Sequence, residues 1–457
     1  MPQTDLSQLA ELATQLPTTG PRYTSYPTAN LFREQDMIED YQSAWQGCQD
    51  KSISMYVHVP FCNTVCYYCA CNKIHTANPV HAETYLQHLL QEAELQAALT
   101  NSRQLEQLHF GGGTPTSFDQ HQMQSLFDRL DQHYQLLDTD ERDYSIELDP
   151  RKLSPQRVKQ LVELGFNRIS VGVQDFDPAV QQAINRVQSE TETAQVIDTA
   201  RQHGVRSVSV DLIYGLPLQT LEGFRRSLQQ TLALQPDRIA LYSYAHLPTM
   251  FKIQRQIKSD QLPDARTKLS LMLCAIETLE QHGYDYLGMD HFAKSTDSLL
   301  AASRNGTLQR NFMGYTTHGD CNLLGLGISA IGLCEDVFTQ NHKTLNDYYT
   351  AIDNNTLPLA KGYVKHSEDQ LRNTVIQALM CALRVDKVSF SQRAGISFDA
   401  YFEGAAPALD RFEQLGLVQN DPSTLQVTDM GRFFIRNICM LFDAYLEPAE
   451  GRFSRTV

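Results

Sequence analysis

The chain has 457 residues, 42% of them apolar and 20% charged, a composition typical of a soluble globular protein too long for one ordinary core. Its formal net charge of −15 excludes broad nucleic-acid binding through a basic face, while a few local arginines still suffice for an anionic small ligand. No stretch reaches the roughly 20 apolar residues of a membrane helix, and residues 1–8 lack a basic region leading into an apolar run, so a cytoplasmic protein with reduced thiols is expected.

A helix is expected near residues 5–16. Gly20-Pro-Arg-Tyr-Thr-Ser-Tyr-Pro-Thr28 contains two prolines and should be extended; its arginine and two tyrosines suit ligand contact better than a surface linker. Residues 1–50 are thus expected to form an extension or lid. From residue 53 to 245, short β-rich runs (53–59, 107–110, 144–148, 168–173, 208–213 and 238–244) alternate with helical patterns at 82–98, 123–134, 155–164, 190–202 and 221–234. Six such repeats imply βαβ units closing into a parallel sheet or partial barrel, with the site at the strand ends. Gly111-Gly-Gly-Thr-Pro-Thr116 follows the second strand. Glu147 and Asp149, then Gln174 and Asp175, then Asp211, then Ala245 and His246 mark the later ones. A single polar group there is an ordinary helix cap, but recurrence strand after strand points to a site.

Beyond Pro248 the pattern turns to longer helices at 264–282 and 345–353, with a glycine-rich apolar run at 323–333 between them, and 51–360 are expected to form the catalytic domain. Residues 361–457 should be a mainly helical C-terminal domain. Helices at 367–383 and 408–415 and a hairpin at 417–428 suggest a winged-helix-like arrangement. Asp399, Glu403, Asp410, Glu413 and Asp421 within it argue against nucleic acid as a partner.

The most informative stretch is residues 55–71, an apolar strand running into a loop with Cys62, Cys66 and Cys69 at C-x3-C-x2-C spacing. Three thiolates on one tight loop can hold three corners of a [4Fe–4S] cube and leave the fourth iron open to chelate a substrate or cofactor. Zinc with Cys71 as fourth ligand, a ferredoxin-like cluster with Cys71, and disulfides are the competing readings. Tyr56, Phe61, Tyr67 and Tyr68 either shield a cluster or simply pack the strand. Cys48, Cys274, Cys321, Cys334, Cys381 and Cys439 are scattered singly, as small buried residues usually are.

The three-cysteine spacing resembles that of the radical S-adenosylmethionine (SAM) enzymes. With Cys71, the 20–28 and 111–116 segments, Gly172-Val-Gln-Asp-Phe176, Asp211-Leu-Ile-Tyr-Gly-Leu-Pro217, Gly288-Met-Asp-His-Phe-Ala293 and Arg436-Asn-Ile-Cys-Met440, nearly the whole chain resembles the oxygen-independent coproporphyrinogen III oxidase family. That resemblance implies a partial (β/α)6 barrel and a [4Fe–4S] cluster on Cys62, Cys66 and Cys69. It implies two SAM molecules and, through a 5′-deoxyadenosyl radical, conversion of two propionates of coproporphyrinogen III to vinyl groups, giving protoporphyrinogen IX in haem biosynthesis. The cluster-bound SAM is expected at Tyr56, Tyr68, Gly112, Glu147 and Ile331, and the second at Gly113, Thr114, Gln174, Arg186, Asp211 and Ala245. Arg22, Cys71 and Arg310 are candidates for the substrate. A monomer with separate, unidentified electron donor and acceptor is expected, and neither a membrane nor nucleic acid.

Relatives that share the core but serve as haem chaperones lack the extra cysteine and the Arg-Tyr-Thr-Ser-Tyr-Pro segment, and carry a His-Asn-x-x-Tyr-Trp motif. Here the comparable run is Arg310-Asn-Phe-Met-Gly-Tyr315, and the only tryptophan is Trp45.

Overall fold

A computed structural model describes residues 6–48, 50–100, 103–139 and 141–446, which divide into two compact units. The larger comprises Phe32–Leu262 and His318–Val364. All six expected strands are present in it: β1 Ile53–Val59, β2 Gln104–Gly112, β3 Asp143–Leu148, β4 Arg168–Gln174, β5 Ser207–Tyr214 and β6 Arg238–Ser243. Each pairs in parallel with its sequence neighbour, as βαβ connections require. The glycine-rich run supplies β7 (Asn322–Leu326), parallel to β1, and β8 (Ile331–Cys334), which continues antiparallel into β9 (Val337–Asn341) and β10 (Leu359–Val364). The result is a mixed sheet whose parallel arc stays open, a partial barrel.

Alternation along these strands sorts the chemistry. Met55, Val57, Leu108, Phe110, Ile146, Val171, Val208 and Val210 are wholly buried and form the core. Tyr56, His109, Ser145, Glu147, Ser170 and Asp211 occupy the alternate positions, only partly covered, on the other face. The intervening helices start on side-chain caps. Asp119 with Gln122 and Ser189 with Glu192 form capping boxes, and Ser154 and Thr220 cap singly.

A buried carboxylate ties the helix between β1 and β2 to the glycine turn after β7. Glu92, on helix Pro79–Thr100, accepts from the Gly327 N–H (2.7 Å), the Tyr348 hydroxyl (2.7 Å) and the Asn341 amide (2.6 Å). Burial raises it to about 7 against the lowering effect of those three donors. Gly327 must be glycine: its φ is +91°, and a Cβ would meet the Tyr85 hydroxyl at 2.2 Å. Tyr85 in turn donates to the His58 carbonyl (2.7 Å), so the network fixes the end of β1 from which the cysteine loop departs.

The smaller unit gathers the described residues of Met1–Leu31, Pro263–Thr317 and Lys365–Val457. The expected boundaries at 50 and 360 are therefore not where the compact units divide. Residues 32–48 belong with the sheet, where Arg103 lies over the Trp45 ring and Tyr41 donates to Gln96, while Pro263–Thr317 groups with the C-terminal region. The 20–28 segment is not the extended run expected, since it bends over residues 24–27 and Tyr23 takes φ +46°, and it is no surface linker either. Tyr23 and Tyr26 are buried; Tyr23 donates to Asp443 (2.9 Å), the Ala444 N–H donates to Tyr26 (2.9 Å), and Arg436 donates to the Pro21 carbonyl (2.9 Å). Helix Ser367–Ala382, helix Ala406–Gln414 and a three-stranded antiparallel sheet of Arg384–Asp386, Thr424–Val427 and Val418–Asn420 give the winged-helix-like part. Among the described residues no helix is long and apolar enough to cross a membrane.

Replacing Glu92 by alanine strands three buried donors, each worth about 1–3 kcal/mol when left unpaired. Glu92→Ala should therefore lower the thermal melting temperature clearly. Glu92→Gln should also destabilise, because its amide would face the Asn341 amide that already donates to Gly327 O. Unchanged melting in both variants would show the network to be incidental.

Candidate functional site

The cysteine loop leaves β1 at Pro60 and is pinned on both sides. Thr76 N–H bonds the Cys62 carbonyl (3.1 Å), Cys69 N–H the Cys66 carbonyl (3.2 Å), and Tyr67 N–H the Ile184 carbonyl (2.9 Å). The glycine turn after β2 packs directly on it. Gly113 and Thr114 donate to the carbonyls of Val59 and Phe61, and a Cβ on Gly113 would meet the Pro60 oxygen at 2.5 Å.

Three donors face the sulfurs: the Thr114 hydroxyl toward Cys62 Sγ (3.6 Å), Arg186 Nη1 toward Cys66 Sγ (3.4 Å) and Arg151 Nη2 toward Cys66 Sγ (3.7 Å). Such charged donors favour thiolates, the form that ligates iron. Burial pushes the Cys62 thiol up to about 11, whereas the hydrogen bond with Cys71, aided by Lys73 against the opposing effect of burial, lowers Cys69 to about 6. Cys71 is exposed beside Cys69 and keeps the proton of that pair. Among the described residues, the side chains whose ligand atoms all lie within 4.8 Å, the reach of one shared ion, are Glu106, His318 and Cys321 rather than the loop cysteines. The loop thiols, Cys62 and Cys66 buried and Cys69 partly so, do not all converge within that reach, which suits the corners of a cube better than a single zinc.

Polar residues on the open face continue from the loop. The Tyr56 hydroxyl lies 3.0 Å from His58 Nδ1, and its ring stacks on His109 (centroids 5.8 Å apart). His109 contacts Ser145 Oγ (2.7 Å) and Glu147 Oε1 (3.4 Å), and the Gly112 N–H reaches Glu147 Oε2 (3.3 Å). Burial raises the Glu147 carboxyl, but His109, the Gly112 N–H and His58 outweigh it and hold Glu147 below the usual range. Gly112 has φ +111°, and a Cβ there would strike the His58 ring at 2.6 Å. Asp211, bonded by Ser170 (3.1 Å), is raised to about 7 by burial and by Glu147.

Arg186 is buried and engaged. Besides Cys66 it contacts Asp149 Oδ2 (3.4 Å) and donates to the Gly172 carbonyl (2.7 Å), leaving only Nε without a partner. Gln174, at φ +66°, sits beside it across Gly172, where a Cβ would meet both side chains within 3 Å. Tyr68 packs on Val180, Ile184, Ile213, Leu216, Tyr244 and Ile257. Ala245 follows β6, and Ile331 opens β8. All eleven expected SAM residues thus lie in the sheet unit, and nine of them stand at ends or on the open face of its strands and turns.

Of the substrate candidates, Arg22 and Arg310 are in the smaller unit and Cys71 in the larger. Arg22 forms an ion pair with Asp290, in the turn of the hairpin Tyr284–Gly288/His291–Lys294. Arg310 is buried over the Tyr315 ring (4.9 Å), with its Nε and Nη1 lacking hydrogen-bond partners. Burial, Arg310 and Arg22 act together on His291 and lower it to about 4. The charges of both arginines therefore act on one histidine. Sequence reasoning missed His58, His109, Arg151 and the Asp290–His291 pair as site groups. The period-two alternation exposing His109, and the 288–293 motif, were the signals available.

The comparisons extend the geometry. Residues 56–230 match the radical SAM superfamily model and residues 366–434 the HemN C-terminal domain. Oxygen-independent coproporphyrinogen III oxidase of Pseudomonas aeruginosa is 45% identical over 452 residues, 98% of each chain, and that of Escherichia coli 42% identical over 96% of each. The solved structure of E. coli coproporphyrinogen III oxidase (HemN), described as a radical SAM enzyme, superposes with a TM-score of 0.91 at 42% identity, covering 93% of this chain and 97% of that one.

Two tests follow from the site. Cys62→Ala, Cys66→Ala and Cys69→Ala should each abolish bound iron, and Cys71→Ala should retain it; equal iron loss in Cys71→Ala would make that residue a fourth ligand. For Asp211, the unfolded carboxyl ionises near its ordinary value of 3.8 and the folded one near 7, so its contribution to stability falls as pH rises through that window. The melting advantage of Asp211→Asn over the wild type, measured on cluster-free protein, should therefore be larger at pH 8 than at pH 5. An advantage independent of pH would remove the assigned shift.

Proposed function

Because this chain belongs to the oxygen-independent coproporphyrinogen III oxidases of the radical SAM superfamily, we propose that it decarboxylates two propionate side chains of coproporphyrinogen III to vinyl groups without oxygen. The end-to-end likeness at 45% identity to a relative of that name carries the reading. The donor set fits the cofactors: three cysteine sulfurs with cationic and hydroxyl donors, and glycine turns in which a Cβ would collide. When bound, the [4Fe–4S] cluster and SAM supply the one-electron chemistry that removes a hydrogen from a propionate.

The remaining work falls to side chains. Cys62, Cys66 and Cys69 hold the cluster. Tyr56, Tyr68, Gly112, Glu147 and Ile331 hold the SAM on it. The ionised Glu147 is an acceptor suited to an amine or a ribose hydroxyl. Gly113, Thr114, Gln174, Arg186, Asp211 and Ala245 hold a second SAM, with Asp211 able to keep a proton near neutrality. Arg22 and Arg310 grip propionate carboxylates that do not react, since guanidinium–carboxylate pairs are strong, directional and local. The unpartnered Nε and Nη1 of buried Arg310 support that assignment, because a buried charge left without acceptors is costly. The protein is cytoplasmic and monomeric, and takes its electron from one redox partner and returns one to another.

The anaerobic, cluster-loaded protein given an electron donor, SAM and coproporphyrinogen III should release carbon dioxide, 5′-deoxyadenosine and methionine in step with vinyl groups formed. Stable haem binding with no decarboxylated product would replace this reading with a chaperone. Arg310→Ala should keep its iron but lose about 10–100-fold in kcat/KM, the worth of a charge-assisted hydrogen bond. An unchanged kcat/KM would take Arg310 out of substrate binding.

A further inference from the structure

At the opposite, amino-terminal end of the parallel strands lies a second cluster of ligand-type side chains. Glu106 is near the start of β2, and His318 and Cys321 are on the turn entering β7, closed by the Cys321 N–H to the His318 carbonyl (3.3 Å). Their ligand atoms all fall within 4.8 Å of one another. His318 Nδ1 is 3.4 Å and Cys321 Sγ 3.6 Å from the same oxygen, Glu106 Oε2.

The first is long for a histidine–carboxylate hydrogen bond, which closes to about 2.7–2.9 Å when charged, while the second is an ordinary thiol–carboxylate distance. Both match the edges of a tetrahedron. With bonds of about 2.0–2.3 Å from zinc to N, O and S ligands, neighbouring ligands stand roughly 3.3–3.7 Å apart. All three residues are only partly buried, which leaves a fourth position to water and a path for entry. His318 Nε2 lies 4.0 Å from Asp143 Oδ2, so the ring nitrogen away from the cluster faces a carboxylate. That is the outer-shell arrangement which orients a ligating imidazole. Asp143 is itself held by Arg168 (3.2 Å), which makes it a supporting group and not a fourth ligand.

We propose that Glu106, His318 and Cys321 form a binding site for one Zn²⁺-class ion, separate from the iron–sulfur loop. The mixture of thiolate, imidazole and carboxylate selects a borderline-soft divalent ion over magnesium or calcium. Without metal, burial and the neighbouring Glu106 push the Cys321 thiol up to about 12, so occupancy displaces that proton. The bound ion joins the turn before β7 to the first residues of β2. It serves as a structural staple at the end of the sheet remote from the cysteine loop.

The test uses the cluster-loaded protein, incubated anaerobically with one to two equivalents of Zn²⁺ and passed through gel filtration. One zinc per chain should remain. Its X-ray absorption at the zinc edge should show a single sulfur near 2.3 Å with nitrogen and oxygen near 2.0–2.2 Å. Cys321→Ala and His318→Gln should each weaken zinc binding at least tenfold while iron content stays at the wild-type value. No retained zinc, a zinc shell of three or four sulfurs, or equal affinity in Cys321→Ala would each overturn the site. Should a variant fail to fold, the wild-type absorption spectrum alone decides, because among the described residues the one group of converging ligand atoms is this cluster, which presents one sulfur.

Discussion

A buried guanidinium fixes the relation of the cysteine loop to the sheet. Taking a full charge out of water costs several kcal/mol unless partners restore what hydration supplied. Arg186 recovers this from Cys66, Asp149 and the Gly172 carbonyl, three groups from three separate segments. Each partner is thereby constrained. Cys66 Sγ is held against the guanidinium, Asp149 is held ionised at the end of β3, and position 172 cannot carry a side chain without displacing Arg186. Arg151, bidentate to Asp149 and also facing Cys66, makes the arrangement a network of two guanidiniums around one carboxylate and one sulfur, and these shared partners let the charges be buried.

From that anchor the site extends along one face of the parallel arc by the simple period of a strand. Residues two apart share a face, so Tyr56, His109, Glu147, Ser170 and Asp211 form a polar row while their immediate neighbours form the core. The row is electrically graded. Glu147 is held ionised by His109 and the Gly112 N–H, and the charge it keeps is one reason Asp211 holds a proton to about pH 7. Two carboxyls on one surface thus carry different protonation, one suited to accept hydrogen bonds and the other able to donate one.

The six parallel strands were legible because each is a short run with apolar residues at alternate positions, most of them with β-branched members, and their ends fell within three residues of expectation. The cysteine loop was legible from its spacing, and the strand-end polar residues from their recurrence. The division into units was not. Sequence order suggests consecutive segments, but Tyr23 and Tyr26 are paired with residues more than 400 positions away, and nothing local announces Asp443 or Ala444 as their partners. Cys321 was equally opaque: it appears as one more isolated cysteine, and only the return of the chain as β7, beside β1, brings it to Glu106 on β2.

The same limitation applies to the two arginines proposed to meet the substrate. Arg22 and Arg310 are separated by most of the chain, yet both influence His291, which burial and their charge keep neutral. Neutrality there is a consequence with chemical value. A protonated histidine between two guanidiniums would add a third positive charge, whereas a neutral ring contributes a donor and an acceptor without competing for a carboxylate. Asp290 offsets Arg22 directly, while Arg310, with only an aromatic face against it, keeps unmet hydrogen-bonding capacity. Of the two, Arg310 is therefore the one whose burial the proposed substrate contact would explain, because no described residue accepts from its Nε or Nη1.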